Sequence, residues 1–197
     1  MQATVHLVRH GEVANPKGVI YGRLPGYNLS ERGMRQARAA AARLGDRDIG
    51  AVWSSPLERA LETAQAIAQP HGLEIVTDER LIESATALEG AGRTLRAFLH
   101  SPKLWWHLRN PLGPSWGESF EDIRRRMVEA VWEALEGGGG REVVLVSHQT
   151  PVQAARLELA RRRRPPWLGA PCATGSVTTL TLEQDRVVSA AYFAPPA

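Results

Sequence analysis

The sequence has a single cysteine, Cys172, among 197 residues. An internal disulfide framework is therefore excluded, and the usage fits a reducing compartment. Cys172 itself reads as a small buried or loop thiol rather than a nucleophile. No apolar run approaches the length of a membrane span, and no basic segment followed by an apolar stretch opens the sequence. The expectation is a cytoplasmic protein without membrane contact. Metal-ligand spacings are missing too: there is no His-x-x-x-His and no His-Glu-x-x-His. There are no internal repeats. The only biased tracts are the short glycine run 137–140 and the arginine run 161–164.

What is present suits a globular domain. Apolar residues make up 43% and charged residues 23%, and the net charge is +3, ordinary for one soluble domain spanning 1–197. Much of the positive excess sits in Arg161-Arg162-Arg163-Arg164. That run could meet an anionic surface, but cations also suit a helix C-terminus, and Pro165-Pro166 would enforce the stop. No aromatic-basic face accompanies it, so nucleic acid is not an expected partner.

Along the chain, Thr4 to Val8 reads as a buried strand ending in Arg9-His10-Gly11-Glu12. Residues 13 to 29 are rich in turn formers and read as a loop that can wall the same strand end. Arg23 is its best ligand contact, the alternative being a solvated charge. Ser30 caps a helix carrying Met34, Ala37, Ala41 and Leu44 at helical spacing, with Gly45 as its stop. Ala51-Val52-Trp53 is a short strand. Ser55 with Glu58 reads as a capping box, with Pro56 at the first helical position. Arg59 then lies in a helix's first turn, where a cation is unfavourable unless a ligand or a carboxylate compensates it.

Leu73 to Thr77 reads as a strand leading out to Glu83. Residues 84–117 are irregular, with a short helix expected near 93–101 and the pair Trp105-Trp106. They read as a lid or substrate-side insertion. Ser119 caps a helix whose inward stripe is Phe120, Ile123, Met127, Val131 and Leu135, with Arg124 to Arg126 on its solvated face. Val143 to Val146 has the continuous apolar character of a central strand, and it ends in Ser147-His148. Thr150 reads as the next helix cap, with Pro151 and Gln153 completing the device. Ser176 to Leu182 and Val187 to Tyr192 alternate like a hairpin or sheet edge. The fold class is α/β.

Arg9-His10, Arg59 and His148 thus stand at strand ends or helix starts. In an open α/β sheet such positions converge on one crevice. Two arginines and two histidines there make an electropositive pocket suited to a phosphoryl group, and the arginines would repel a metal cation.

The residues carrying this chemistry resemble the histidine phosphatase superfamily, the group that includes cofactor-dependent phosphoglycerate mutases. The matching stretches are Leu7 to Glu12, Leu29 to Gly33 with Gln36-Ala37, Ser54 to Ala60 with Thr63-Ala64, Leu81-Ile82-Glu83, Gly117-Glu118-Ser119 and Val146-Ser147-His148. They occur in the family's order over nearly the whole chain. The resemblance implies a three-layer α/β/α fold around a mostly parallel sheet. It implies that His10 attacks phosphorus and becomes a phosphohistidine, that Arg9, Arg59 and His148 hold the phosphoryl oxygens, and that Glu83 serves as acid and then base. No cofactor and no metal is implied.

Arg23, Asn15 and Gln149 are the expected substrate contacts. Gln149 stands where many members have Gly, and Asn15 is displaced by one position. The expected activity is hydrolysis of a phosphorylated small molecule. Mutase-type phosphoryl transfer and a catalytically weak phospholigand-binding member are the alternatives. Edge strands and exposed Trp residues would serve a homodimer or a lid equally.

Overall fold

The computed structural model of this chain describes residues 2–86, 88–92, 117–161 and 171–196. The expected helix near 93–101, Trp105-Trp106, most of the lid insertion and Arg162 to Pro166 lie outside them. The elements run β1 (Gln2–Arg9), α1 (Glu31–Leu44), β2 (Ile49–Ser54), α2 (Glu58–His71) and β3 (Ile75–Thr77), followed by a 3-10 turn at Glu79–Leu81. Then come α3 (Phe120–Gly137), β4 (Glu142–Ser147), α4 (Gln149–Leu159), β5 (Val177–Glu183) and β6 (Arg186–Phe193).

One six-stranded sheet runs β3-β2-β4-β1-β5-β6. β3, β2, β4 and β1 pair in parallel, while β5 and β6 add an antiparallel margin. Strand alternation divides the core into two layers. Val143 and Leu145 of β4 face one way with Val5 and Leu7, and pack on Ile123, Met127 and Val131 of α3 and Val152 and Leu159 of α4. Val144 and Val146 face the other way with Val8, over Ala40 and Leu44 of α1 and Ala60, Ala64 and Ile67 of α2. The result is three layers, α/β/α, around a mostly parallel sheet. β4 is buried on both faces, in keeping with its unbroken apolar run. No described helix is long and apolar enough to cross a membrane.

Ser30 caps α1, accepting from the Gly33 N–H, and Ser119 caps α3, accepting from Asp122. Two other caps differ from expectation. α2 starts at Glu58 with Leu57 as its cap residue and no side-chain cap bond. The Ser55 hydroxyl instead meets His148, and the Glu58 carboxylate accepts the Gly26 N–H at 2.9 Å. α4 is entered through His148, so Thr150 is already helical. At α2 tertiary partners claim the groups that local pattern assigns to the cap. Arg126 is a further correction. Only 14% of its side chain is exposed, and it pairs with Glu118 at 2.6 Å instead of lying on a solvated face.

Candidate active site

Sheet register builds the site. Arg9 pairs with Ser147, and Ser54 with Val146, so β1, β4 and β2 end side by side. The backbone continues the alignment beyond the strands: His10 N–H donates to Ser147 at 3.0 Å, Ser55 N–H to Val146 at 3.0 Å and Asp78 N–H to Ser54 at 2.9 Å. His10, His148, Ser55 and the segment leading to Glu83 therefore emerge in one row at the carboxyl edge of the sheet.

β1 leaves the sheet through Gly11, where the backbone runs against the start of α1. A Cβ on Gly11 would lie 2.4 Å from the Gly33 carbonyl oxygen, and one on Gly33 would lie 2.0 Å from that of Glu12. Thr63 ties the same corner to α2: its hydroxyl accepts the Gly11 N–H at 3.2 Å and donates to the Arg59 carbonyl at 2.8 Å.

His10 is 2% exposed. Its Nδ1 lies 2.7 Å from the Gly11 carbonyl. A carbonyl only accepts, so the neutral ring carries its hydrogen on Nδ1 and a lone pair on Nε2. Burial, then the nearby Arg59 and Arg9 charges, push its pKa down to about 3, against the smaller opposing effect of the Gly11 bond. His148 is fully buried, with ring centroid 5.0 Å from that of His10 and planes inclined at 62°. Its pKa is driven well down by burial and by the surrounding cations.

His148 Nε2 lies 2.8 Å from the Ser55 hydroxyl, which also accepts the Leu57 N–H at 3.4 Å. When the hydroxyl donates to Nε2, the ring hydrogen sits on Nδ1.

Arg59 is fully buried on the first turn of α2. One terminal nitrogen donates to the Gly22 carbonyl at 2.6 Å, and its guanidinium lies 4.8 Å from the centre of the Tyr21 ring. Tyr21 in turn stacks on Tyr27. Burial lowers the Arg59 pKa, with Glu83, Glu58 and Glu89 pulling the other way. Among the described residues Arg59 makes no ion pair, so of the two compensations expected from its position, a ligand or a carboxylate, the carboxylate is not found there. Arg9 donates to the Cys172 carbonyl at 2.7 Å. Four buried nitrogens at this site have no partner among the described residues: Arg9 Nε, Arg59 Nε, Arg59 Nη1 and His148 Nδ1. Such donors are costly to bury unless something accepts from them, and a tetrahedral oxyanion matches their number and charge.

Glu83 is half-buried after the 3-10 turn. Its Oε1 accepts from the Ser84 N–H at 2.8 Å and the Ser84 hydroxyl at 3.2 Å. Burial raises its pKa, against the lowering effect of those bonds and of the Arg9 and Arg59 charges. The other expected contacts are differently employed. Arg23 donates through Nε to the Glu83 carbonyl at 2.7 Å and through Nη2 to Glu118 at 2.9 Å. The Asn15 amide bonds the Val19 backbone in both directions, at 2.8 and 3.2 Å, and closes its own loop. Gln149 is exposed at the start of α4. Sequence reasoning did not assign Ser55, Thr63, Tyr21, Ser84 or Arg126 to this region. Ser55 and Thr63 do lie in one of the matching stretches, which was the available signal. Among the described residues no group of three or more His, Cys, Asp or Glu side chains is arranged to hold a metal ion.

A profile of the histidine phosphatase superfamily (branch 1) matches residues 5–194. An uncharacterized protein of Mycobacterium tuberculosis is 50% identical over 100% of this chain and 98% of its own length. A 2,3-bisphosphoglycerate-dependent phosphoglycerate mutase of Thermoplasma acidophilum is 34% identical, covering 93% of this chain and 89% of its own. Among solved structures, a mycobacterial glucosyl-3-phosphoglycerate phosphatase superposes with a TM-score of 0.75 at 28% identity, covering 98% of both chains.

Proposed function

The chain belongs to the histidine phosphatase superfamily, and from this we propose that it hydrolyses a small phosphomonoester without a metal, through a phosphohistidine on His10. The observation that carries the reading is the tautomer of His10. Its Nδ1 hydrogen is held by the Gly11 carbonyl, so the lone pair is on Nε2, in a site where four buried nitrogens have no partner among the described residues. A neutral imidazole is a competent nucleophile, and fixed cations offset its approach to an anion.

In the first step Nε2 forms a bond to phosphorus while the ester P–O bond breaks, and the leaving oxygen takes the proton of Glu83. The raised pKa of Glu83 suits it to hold that proton. In the second step the Glu83 carboxylate takes a proton from water, whose oxygen bonds to phosphorus as the N–P bond breaks and phosphate leaves. Arg9, Arg59 and His148 hold the phosphoryl oxygens throughout.

The mutase reading is supported by the Thermoplasma relative. Hydrolysis is favoured by the phosphatase that superposes over nearly the full length.

The test is phosphate release from 4-nitrophenyl phosphate in the presence of chelator, for wild type and His10→Ala. Wild-type release should resist the chelator and fall by roughly a thousandfold or more in the variant. Release surviving in His10→Ala would overturn the reading. No release from wild type, together with isomerisation of phosphoglycerate, would move the assignment to the mutase.

A further inference from the structure

Glu118, in the Gly117-Glu118-Ser119 stretch ahead of α3, plays no part in the mechanism above, yet it is gripped from two sides. Arg126, two turns along α3, donates to both its carboxylate oxygens, at 2.6 and 3.0 Å. Arg23, from the loop after β1, donates to one of them at 2.9 Å. Both arginines then reach the segment that carries Glu83. Arg23 Nε bonds the Glu83 carbonyl at 2.7 Å, and Arg126 Nη1 bonds the Arg80 carbonyl. The Arg80 side chain is itself clamped by Asp78 at 2.6 Å and by Glu133 of α3 at 2.7 Å. A single carboxylate, 17% exposed, thus joins the loop after β1 and α3 to the backbone of the segment from Arg80 to Glu83. The carboxyl of Glu83 sits on an irregular stretch where, among the described residues, Ser84 alone is seen bonding it directly. Its position over the pocket depends on what holds that backbone.

We propose that Glu118 is a positioning residue which, through Arg23 and Arg126, holds Glu83 where it can protonate the leaving oxygen. The inference rests on the reading of Glu83 as general acid. It also gives Arg23 a role at the site through its bonds to Glu83 and Glu118.

A positioning role through the acid has a signature that general destabilisation lacks. A leaving group that departs readily as an anion needs little protonation, whereas a poor one depends on it. The experiment measures kcat/KM of the full chain for 4-nitrophenyl phosphate and phenyl phosphate, in wild type, Glu118→Gln, Glu83→Gln and the double variant. Glu118→Gln should lose about tenfold more on phenyl phosphate than on 4-nitrophenyl phosphate. In the Glu83→Gln background the same change should add little to that ratio, because the acid it positions is already gone.

Equal losses on both esters, or a Glu118→Gln effect that persists undiminished without Glu83, would overturn the proposal. If Glu83→Gln itself leaves the two esters unequally affected by less than about twofold, Glu83 is not the acid. The general-acid reading then falls, and this inference with it. Should Glu118→Gln fail to fold, Arg23→Met removes the bond to the Glu83 carbonyl and carries the same two comparisons.

Discussion

Arg59 is a costly residue to bury. It is fully enclosed, has two nitrogens without partners among the described residues, and its charge is offset by the Gly22 carbonyl, the Tyr21 ring and the more distant Glu83, Glu58 and Glu89, with no direct ion pair among the described residues. A buried charge without an ion-pair partner is costly to keep out of water, and an apolar side chain of similar length avoids that cost. Arg59→Met should therefore raise the thermal midpoint in phosphate-free buffer while hydrolysis falls by roughly a thousandfold. Inorganic phosphate should raise the wild-type midpoint through its binding energy and leave that of the variant nearly unmoved. A variant that melts lower than wild type without phosphate would mean that the Gly22 and Tyr21 contacts outweigh the burial cost.

At the scale of elements, the junction between β1 and α1 fixes where His10 stands. Gly33 lies inside α1, where alanine would ordinarily be the better helix former. Here its Cβ would meet the Glu12 carbonyl oxygen at 2.0 Å. Gly33→Ala should thus destabilise by about 1–3 kcal/mol, read as a lower urea midpoint with unchanged slope. A neutral or stabilising result would show that the junction yields freely.

The same scale explains what could be read in advance. β4 was legible because its apolar run is continuous and its burial follows from that alone. The caps at Ser30 and Ser119 were legible because a serine and the next turn suffice to make them. Ser55 and Glu58 misled because their side chains are used by His148 and Gly26, residues far away in sequence. Arg126 looked solvated as the last of three arginines, and only its contact with Glu118 distinguishes it. The pocket residues were legible as a set because each closes a strand or opens a helix. Their mutual distances, and the employment of Arg23 and Asn15, depend on loop paths that no local pattern encodes.

For the whole molecule the buried histidines set the response to acid. Both His10 and His148 have folded pKa values below the ordinary 6.5. Between the folded value and 6.5 the unfolded chain binds protons that the folded chain does not, so stability falls as pH drops below about 6.5. Each contributes up to about 1.4 kcal/mol per pH unit across that interval. The raised pKa of Glu83 works in the opposite sense, since its stabilisation is present at low pH and is lost as pH rises through the folded value. The histidine contribution predicts a thermal midpoint that drops steeply from pH 6.5 to 4.5. Replacing His148 with Gln should flatten that slope; a slope unchanged in the variant would remove this residue from the account.

β1 has a consequence for how the molecule comes into being. The strand that leads into His10 precedes both of its neighbours in the chain, yet it lies between β4 and β5, pairing Val5 with Val143 and Val8 with Val177. Until both partners have left the ribosome, its Val5, Leu7 and Val8 have no sheet to join. A nascent chain therefore carries an apolar strand without its partners until β4 and then β5 are made, and closing the sheet must bridge very long loops. The strand end that presents His10 is held in its sheet only once those later strands arrive.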